Sequence, residues 1–446
     1  MSAQEIETTI HQRPAELLQQ LVRFDTTNPP GIETECLGYI DRLLTSVGIK
    51  TSILAKDPSR PNLVARLPGR GVAPPLLIYA HIDVVSTENQ KWQVPPFEGR
   101  IVDGVLWGRG TLDDKGGAAM SLSAFLRTKA EGFTPPGDVI LAMLCDEEAG
   151  GWMGANYLVE NHADLFSGVR YALGEVGGFT LYLAGRKFYP IMVSEKRMCS
   201  LRATVRGPAL HAAAAVVRGG AAAKMGYLLT QLDQAHLPLH LTPAAKQMLE
   251  VISSNTPFPA NLVLRQLLNP ALAGKVLALL GSTGETLYPL LHNTFNVTKV
   301  CGGEQVGTSP AQVSTEIFAC VLPGYSPEDL VAELRHFIGD EVELEITHPG
   351  EAIPEKPDMG LFDTLCDILC KADPEGVPAP LMLTAPTDAR HFARLGIQTY
   401  GFQPMKVPPD IDIARMAHAA DERVPVEAIE FGSEAIYQVL HRFGET

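Results

Sequence analysis

The chain has 446 residues, 46% apolar and 20% charged, the balance of an ordinary globular protein and not of a disordered, collagen-like or coiled-coil one. At roughly 150 residues per domain, that length suits two or three domains. Thirty-six basic against 51 acidic side chains leave a net charge of −15, which argues against a general nucleic-acid or anionic-membrane binder, local basic patches aside. No run of about 18 apolar residues free of charges occurs, so no transmembrane helix is expected. The opening MSAQEIETTIHQRPAELLQQ is polar and acidic, so no secretory leader is read. Cys36, Cys145, Cys199, Cys301, Cys320, Cys366 and Cys370 form no CxxC pair. They read as reduced thiols of a cytoplasmic protein.

Residues 14–48 carry helical periodicity broken by the turn TTNPPG. TSILA and NLVARL read as strands, and PPLLIYAHIDVV as a strand of the buried type. MSLSAFLRTKAEG is an amphipathic helix, DVILAMLCDEEAG a buried strand running into an acidic turn, and MGANYLVEN a helix. GVRYALGEVGG is a strand ending in a carboxylate and glycines. This alternation predicts a three-layer α/β/α domain on a mostly parallel sheet. In such sheets ligands gather beyond the carboxyl ends of the strands.

From about 195 the texture changes to a strand, an Ala-rich helix and a long Pro-punctuated stretch, then strand, strand and helix. The α/β pattern returns with LFDTLCDILCKA, GIQTYGF and a final helix. Residues 1–194 and 354–446 are therefore expected to form one domain, and 195–353 a smaller inserted α+β domain.

Five segments put His or carboxylate at strand ends. In YAHIDVV, His81 and Asp83 are two apart and project from one face. A metal-bound histidine usually has its second ring nitrogen held by a carboxylate, which Asp83 offers. In LWGRGTLDDKGG, Asp113 and Asp114 stand in a glycine-framed loop before a helix, as metal ligands or as helix caps. In CDEEAGG, Glu147 and Glu148 are adjacent acids that repel unless a cation or proton relieves them. Glu175 in LGEVGG and His418 in MAHAADERVP complete the set. Two histidines and three carboxylates suit a pair of divalent cations, most naturally zinc, with manganese or cobalt able to use the same ligands. Such a pair activates a shared water, and a free carboxylate nearby moves the proton to the leaving nitrogen.

The order HIDVV, WGRGTLDDKGG, DEEAG, GEVGG, TDAR and AHAADE resembles the di-zinc exopeptidase and aminoacylase family, which includes glutamate carboxypeptidases, acetylornithine deacetylases, succinyl-diaminopimelate desuccinylases and carnosinase-like dipeptidases. The resemblance implies a catalytic domain interrupted by a lid that often carries a homodimer contact. It implies two Zn²⁺ per chain, with Asp113 bridging, His81 and Glu175 completing one site, and Glu148 and His418 the other. Glu147 would be the general base and then the acid, and Asp83 would orient His81. The Asp113–Asp114 bond would be cis. His211, in GPALHAAAA, would stabilise the oxyanion from the lid, in its own chain or its partner. Arg390, in PTDAR, would take the substrate carboxylate. The implied substrate is a dipeptide or N-acyl amino acid, with no nucleic-acid or membrane partner.

The lid departs from the family pattern. Gly307 stands where relatives have Asn, Phe318 and Cys320 replace an Asp and an Arg, and Ala212 follows His211 in place of a small polar residue. This motivates a second reading, a metal-containing relative with weakened or lost turnover that acts as a binding or regulatory protein.

Overall fold

A computed structural model describes residues 9–211, 213, 218–303 and 305–445. Its main sheet runs in the order 51–57, 60–67, 139–144, 76–81, 171–174, 398–401, 186–195, 377–383, with 181–183 pairing beside 186–195. The four strands from 139–144 to 398–401 are parallel to one another, and 186–195 and 377–383 form a further parallel pair. Antiparallel pairings flank this centre. Leu76–His81 and Val139–Leu144 are buried along their whole length, which is why each reads as an unbroken apolar run rather than an alternation.

Alternation along these strands assigns two layers. Leu76, Ile78 and Ala80 pack with Ala118, Leu122 and Phe125 of the helix Lys115–Ala130 and with Ile436 and Leu440 of Val426–Arg442. Leu77 and Tyr79 pack on the other face with Leu158 and Phe392. The chain has the expected α/β/α class.

A second sheet is antiparallel, in the order 294–301, 312–321, 197–206, 343–348. Its buried face (Leu201, Ala203, Ile317, Ala319) is covered by Ala221–Asp233 and Pro327–Ile338. The latter starts at Ser326, whose hydroxyl accepts from Asp329 N while the Asp329 carboxylate accepts from Ser326 N, a reciprocal cap that satisfies two otherwise free donors. The intervening helices take a different place. Pro243–Asn255 buries Ala244, Ala245, Met248 and Leu249 in the core of the main sheet, joined by Leu264, Leu267, Ala273 and Leu277.

A third, small sheet joins 100–102, 105–107 and 423–425. The pairing of Leu106 with Val424 fastens the loop that leads to Asp113 beside the loop that carries His418. No helix among the described residues is long and apolar enough to cross a membrane. The opening residues 1–8 and Ala212 lie outside the described residues.

Candidate metal centre

His81 ends its parallel strand, Glu148 lies in the turn after Val139–Leu144, and Glu175 follows Tyr171–Gly174. These are carboxyl ends of adjacent parallel strands, where loops and not side-chain layers fill the space. Asp113 and His418 reach the same place through the small sheet.

Asp113 stands between the two histidines. Its Oδ1 is 3.0 Å from His81 Nε2, and its Oδ2 is 2.9 Å from His418 Nε2. Glu175 Oε2 lies 3.5 Å from His81 Nε2, and Glu148 Oε1 lies 3.2 Å from His418 Nε2. Two groups result, His81–Asp113–Glu175 and Asp113–Glu148–His418, each with ligand atoms within 4.8 Å of one another. They share Asp113. Glu175 Oε1 is buried without a hydrogen-bond partner, a cost that a cation would remove. His81 Nδ1 donates to the carbonyl oxygen of Asp83 at 3.0 Å. That bond leaves Nε2 to face the carboxylates, the nitrogen a metal would take once its proton is displaced. On donor type and convergence, these residues fit divalent cations.

Electrostatics agree with that fit. Burial works against charge on His81, but hydrogen bonding to Asp113 and the charge of Glu175 hold its pKa well above the ordinary histidine value. Asp113 and Glu148 lift His418 to about 10. Burial, then the charge of Glu175, push Glu147 well above a normal glutamate. Protons held by imidazoles among carboxylates are those a cation displaces on binding.

Asp83 does more than orient His81. Its carboxylate is 3.6 Å from the ring nitrogen, beyond hydrogen-bond range. It accepts instead from Glu147 N at 3.2 Å, Glu148 N at 3.1 Å and Asn28 Nδ2 at 2.8 Å. The fully buried Asp83 thus fixes the turn that carries both acids. Arg60 holds the preceding residue: its guanidinium donates to Asp146 Oδ1 at 2.7 Å and to Glu33 Oε1 at 2.6 Å. Asp146 has φ of 70°, left-handed backbone that aspartate tolerates better than most side chains. The Asp113–Asp114 bond is cis. Asp114 accepts from His81 N at 3.2 Å and from Gln403 Nε2.

His211 and Arg390 belong to neither ligand group. His211 is exposed, bridges to Thr308 on the side of the second sheet and accepts from Ala213 N; it is not among the groups around Asp113. Arg390 is buried and donates to the carbonyl oxygens of Thr387 at 3.0 Å and Gly150 at 2.8 Å. Of the three residues that depart from the family pattern, Cys320 is buried, Phe318 is exposed, and Gly307 has φ of 95°.

Arg109, Glu422 and Gln90 were missed from sequence. Glu422 is fully buried, accepts from Arg109 through Oε2, and from Leu112 N (2.7 Å) and Asp113 N (3.3 Å) through Oε1. Arg109 and Gln90 both donate to the carbonyl oxygen of His418, at 3.1 and 2.9 Å. Arg109 and Glu422 lie inside the motifs WGRG and HAADE, where a charge among glycines and small residues was the available signal.

The model of peptidase family M20/M25/M40 matches residues 77–442. The chain is 26% identical over 382 residues to human N-fatty-acyl-amino acid synthase/hydrolase PM20D1, covering 82% of this chain and 73% of that one. It is 28% identical over 373 residues to a probable carboxypeptidase S-like 2 of Dictyostelium discoideum, covering 79% and 68%. The M20 metallo-carboxypeptidase Sso-CP2 of Sulfolobus solfataricus has a similar fold, with TM-score 0.69 at 17% identity over 97% of this chain and 99% of that one. The chain belongs to peptidase family M20/M25/M40, metal-dependent hydrolases of amide bonds.

Proposed function

We propose that the chain hydrolyses the amide bond of a small substrate, a dipeptide or N-acyl amino acid, at two divalent cations, zinc by preference. The observation that carries this reading is Asp113, one carboxylate shared by two three-residue ligand groups. His81, Asp113 and Glu175 would hold one ion, and Asp113, Glu148 and His418 the other. Bound there, the ions would polarise the scissile carbonyl and acidify the attacking water.

The chain's own residues supply the rest. Glu147 is next to Glu148 but belongs to neither ligand group, so its carboxylate is free to take a proton from the water and return it to the leaving nitrogen. Asp83 holds the main chain of Glu147 and Glu148, which keeps the proton carrier in register with the ligands. His211 would complete the site when the lid closes and would stabilise the oxyanion. Arg390 would meet a substrate carboxylate after exchanging a main-chain partner. The human relative's name, N-fatty-acyl-amino acid synthase/hydrolase, supports N-acyl amino acids within this range. The edge strand Thr294–Cys301, exposed over most of its length, supports a homodimer through the lid.

Elemental analysis of the purified chain, followed by a screen of dipeptides and N-acyl amino acids with and without chelator, tests the proposal. About two zinc ions per chain and chelator-sensitive turnover are expected. Bound metal without turnover on any of these substrates would favour the binding-protein reading, for which the altered Gly307, Phe318 and Cys320 speak.

A further inference from the structure

The net charge of −15 points away from anionic surfaces, but the charge is unevenly spread. From Val251 to Gly284 there is no acidic residue, and the two charges are Arg265 and Lys275. Both are exposed, and neither joins an ion pair among the described residues. This stretch also carries large exposed apolar side chains: Phe258 is 76% exposed, Leu262 50%, Leu272 37% and Leu279 79%.

The helix Pro270–Leu279 shows how they are arranged. Ala273 and Leu277, four apart, are buried against the main core. Val276 packs partly against the same core. Leu272 and Leu279, at i and i+7, flank that buried side and are exposed, with Lys275 three residues from one and four from the other. An apolar stripe on a helix is normally covered. Leu262 and Arg265, on the preceding helix Ala260–Arg265, repeat the pairing of exposed leucine with exposed base. An exposed apolar patch of this kind marks a contact surface.

We propose that the 256–281 segment docks on an anionic lipid–water interface, its leucines and Phe258 entering the acyl boundary while Arg265 and Lys275 meet the headgroups. Charge selects this occupant. Basic side chains beside apolar ones, with no acidic residue between Val251 and Gly284, match an anionic bilayer. The overall negative charge then keeps the rest of the surface off the bilayer.

The test is cosedimentation of the full-length, metal-loaded protein with vesicles of phosphatidylcholine alone and of equimolar phosphatidylcholine and phosphatidylserine. Binding to the mixed vesicles, weaker on phosphatidylcholine and reduced by salt, is expected. Leu272→Glu with Leu279→Glu is expected to cut the partition by about tenfold or more, from lost apolar burial. Arg265→Glu and Lys275→Glu are each expected to cut it about fivefold, on the anionic vesicles only. All four positions are exposed, so metal content and unfolding midpoint should stay at wild-type values; if the leucine variant unfolds, the charge variants carry the test. No sedimentation with either vesicle, or partition unchanged in the variants, overturns the proposal. A dimer in analytical ultracentrifugation that Leu279→Glu dissociates, with no vesicle binding, assigns the face to a second copy and overturns it too.

Discussion

Arg109 joins Glu422 to the main chain of His418: its guanidinium donates to the buried carboxylate and, at 3.1 Å, to the His418 carbonyl oxygen. Glu422 in turn accepts from Leu112 N and Asp113 N. One ion pair therefore ties the loop of the shared carboxylate to the loop of the last histidine. Neither residue is in the ligand groups, so its contribution is position. Glu422→Gln is expected to weaken metal affinity by about 10–100-fold, as loss of a supporting partner does. Competition against a metal-binding dye reads this directly. Affinity equal to wild type would show that the small sheet alone sets the geometry.

Glu147→Gln separates chemistry from metal binding. The side chain belongs to neither ligand group, so metal content should be unchanged. Turnover should fall by about 10²–10⁴-fold, the usual contribution of a positioned proton carrier. A variant with full metal-dependent turnover would give the proton transfer to another group.

Arg60 is buried between Glu33 and Asp146, with 7% of its side chain exposed. Arg60→Ala leaves two buried carboxylates without their cation. A loss of about 3–5 kcal/mol in urea unfolding is expected, together with lower turnover because Asp146 begins the turn of Glu147 and Glu148. A stability change below about 1 kcal/mol, the range of surface pairs, would mean that water replaces the guanidinium.

Lys196 is fully buried and donates to the His292 carbonyl oxygen at 2.7 Å and to Thr294 Oγ1 at 3.1 Å. Burial lowers its pKa from 10.5 to about 8. Between those values the folded chain binds fewer protons at this lysine than the unfolded chain, so its contribution to stability rises with pH from about 8 to 10.5. The gain across that window is on the order of 3 kcal/mol. Urea unfolding at a series of pH values should show wild type gaining on Lys196→Met through this window. Parallel curves would show that the lysine keeps its proton in the fold.

Much of this was legible in the residues. PPLLIYAHIDVV and DVILAMLCDEEAG place buried strands and the acids that follow them within one short stretch, and the strands form as expected at 76–81 and 139–144. The helices of 243–291 were not legible as part of the main core. Their apolar periodicity says that a face is buried, not which sheet buries it; packing of Met248 and Leu249 against the main core decides that. The reading of Asp83 as the partner of a His81 ring nitrogen follows a common rule, yet the bond goes to its carbonyl oxygen, because three N–H donors from elsewhere occupy the carboxylate.

By itself, the sequence determined the α/β class, the family and the strand-end positions of His81, Glu148 and Glu175, because these depend on periodicities and motifs spanning a few residues. Only the tertiary structure decided that Arg60 and Asn28 support the acidic turn, that Arg109 holds the main chain of His418, and that Glu422 reaches back across the chain to Asp113 N. Those contacts join residues tens to hundreds of positions apart. A charge's buried partner is chosen by which loops the folded sheet brings together, and no local pattern records that choice.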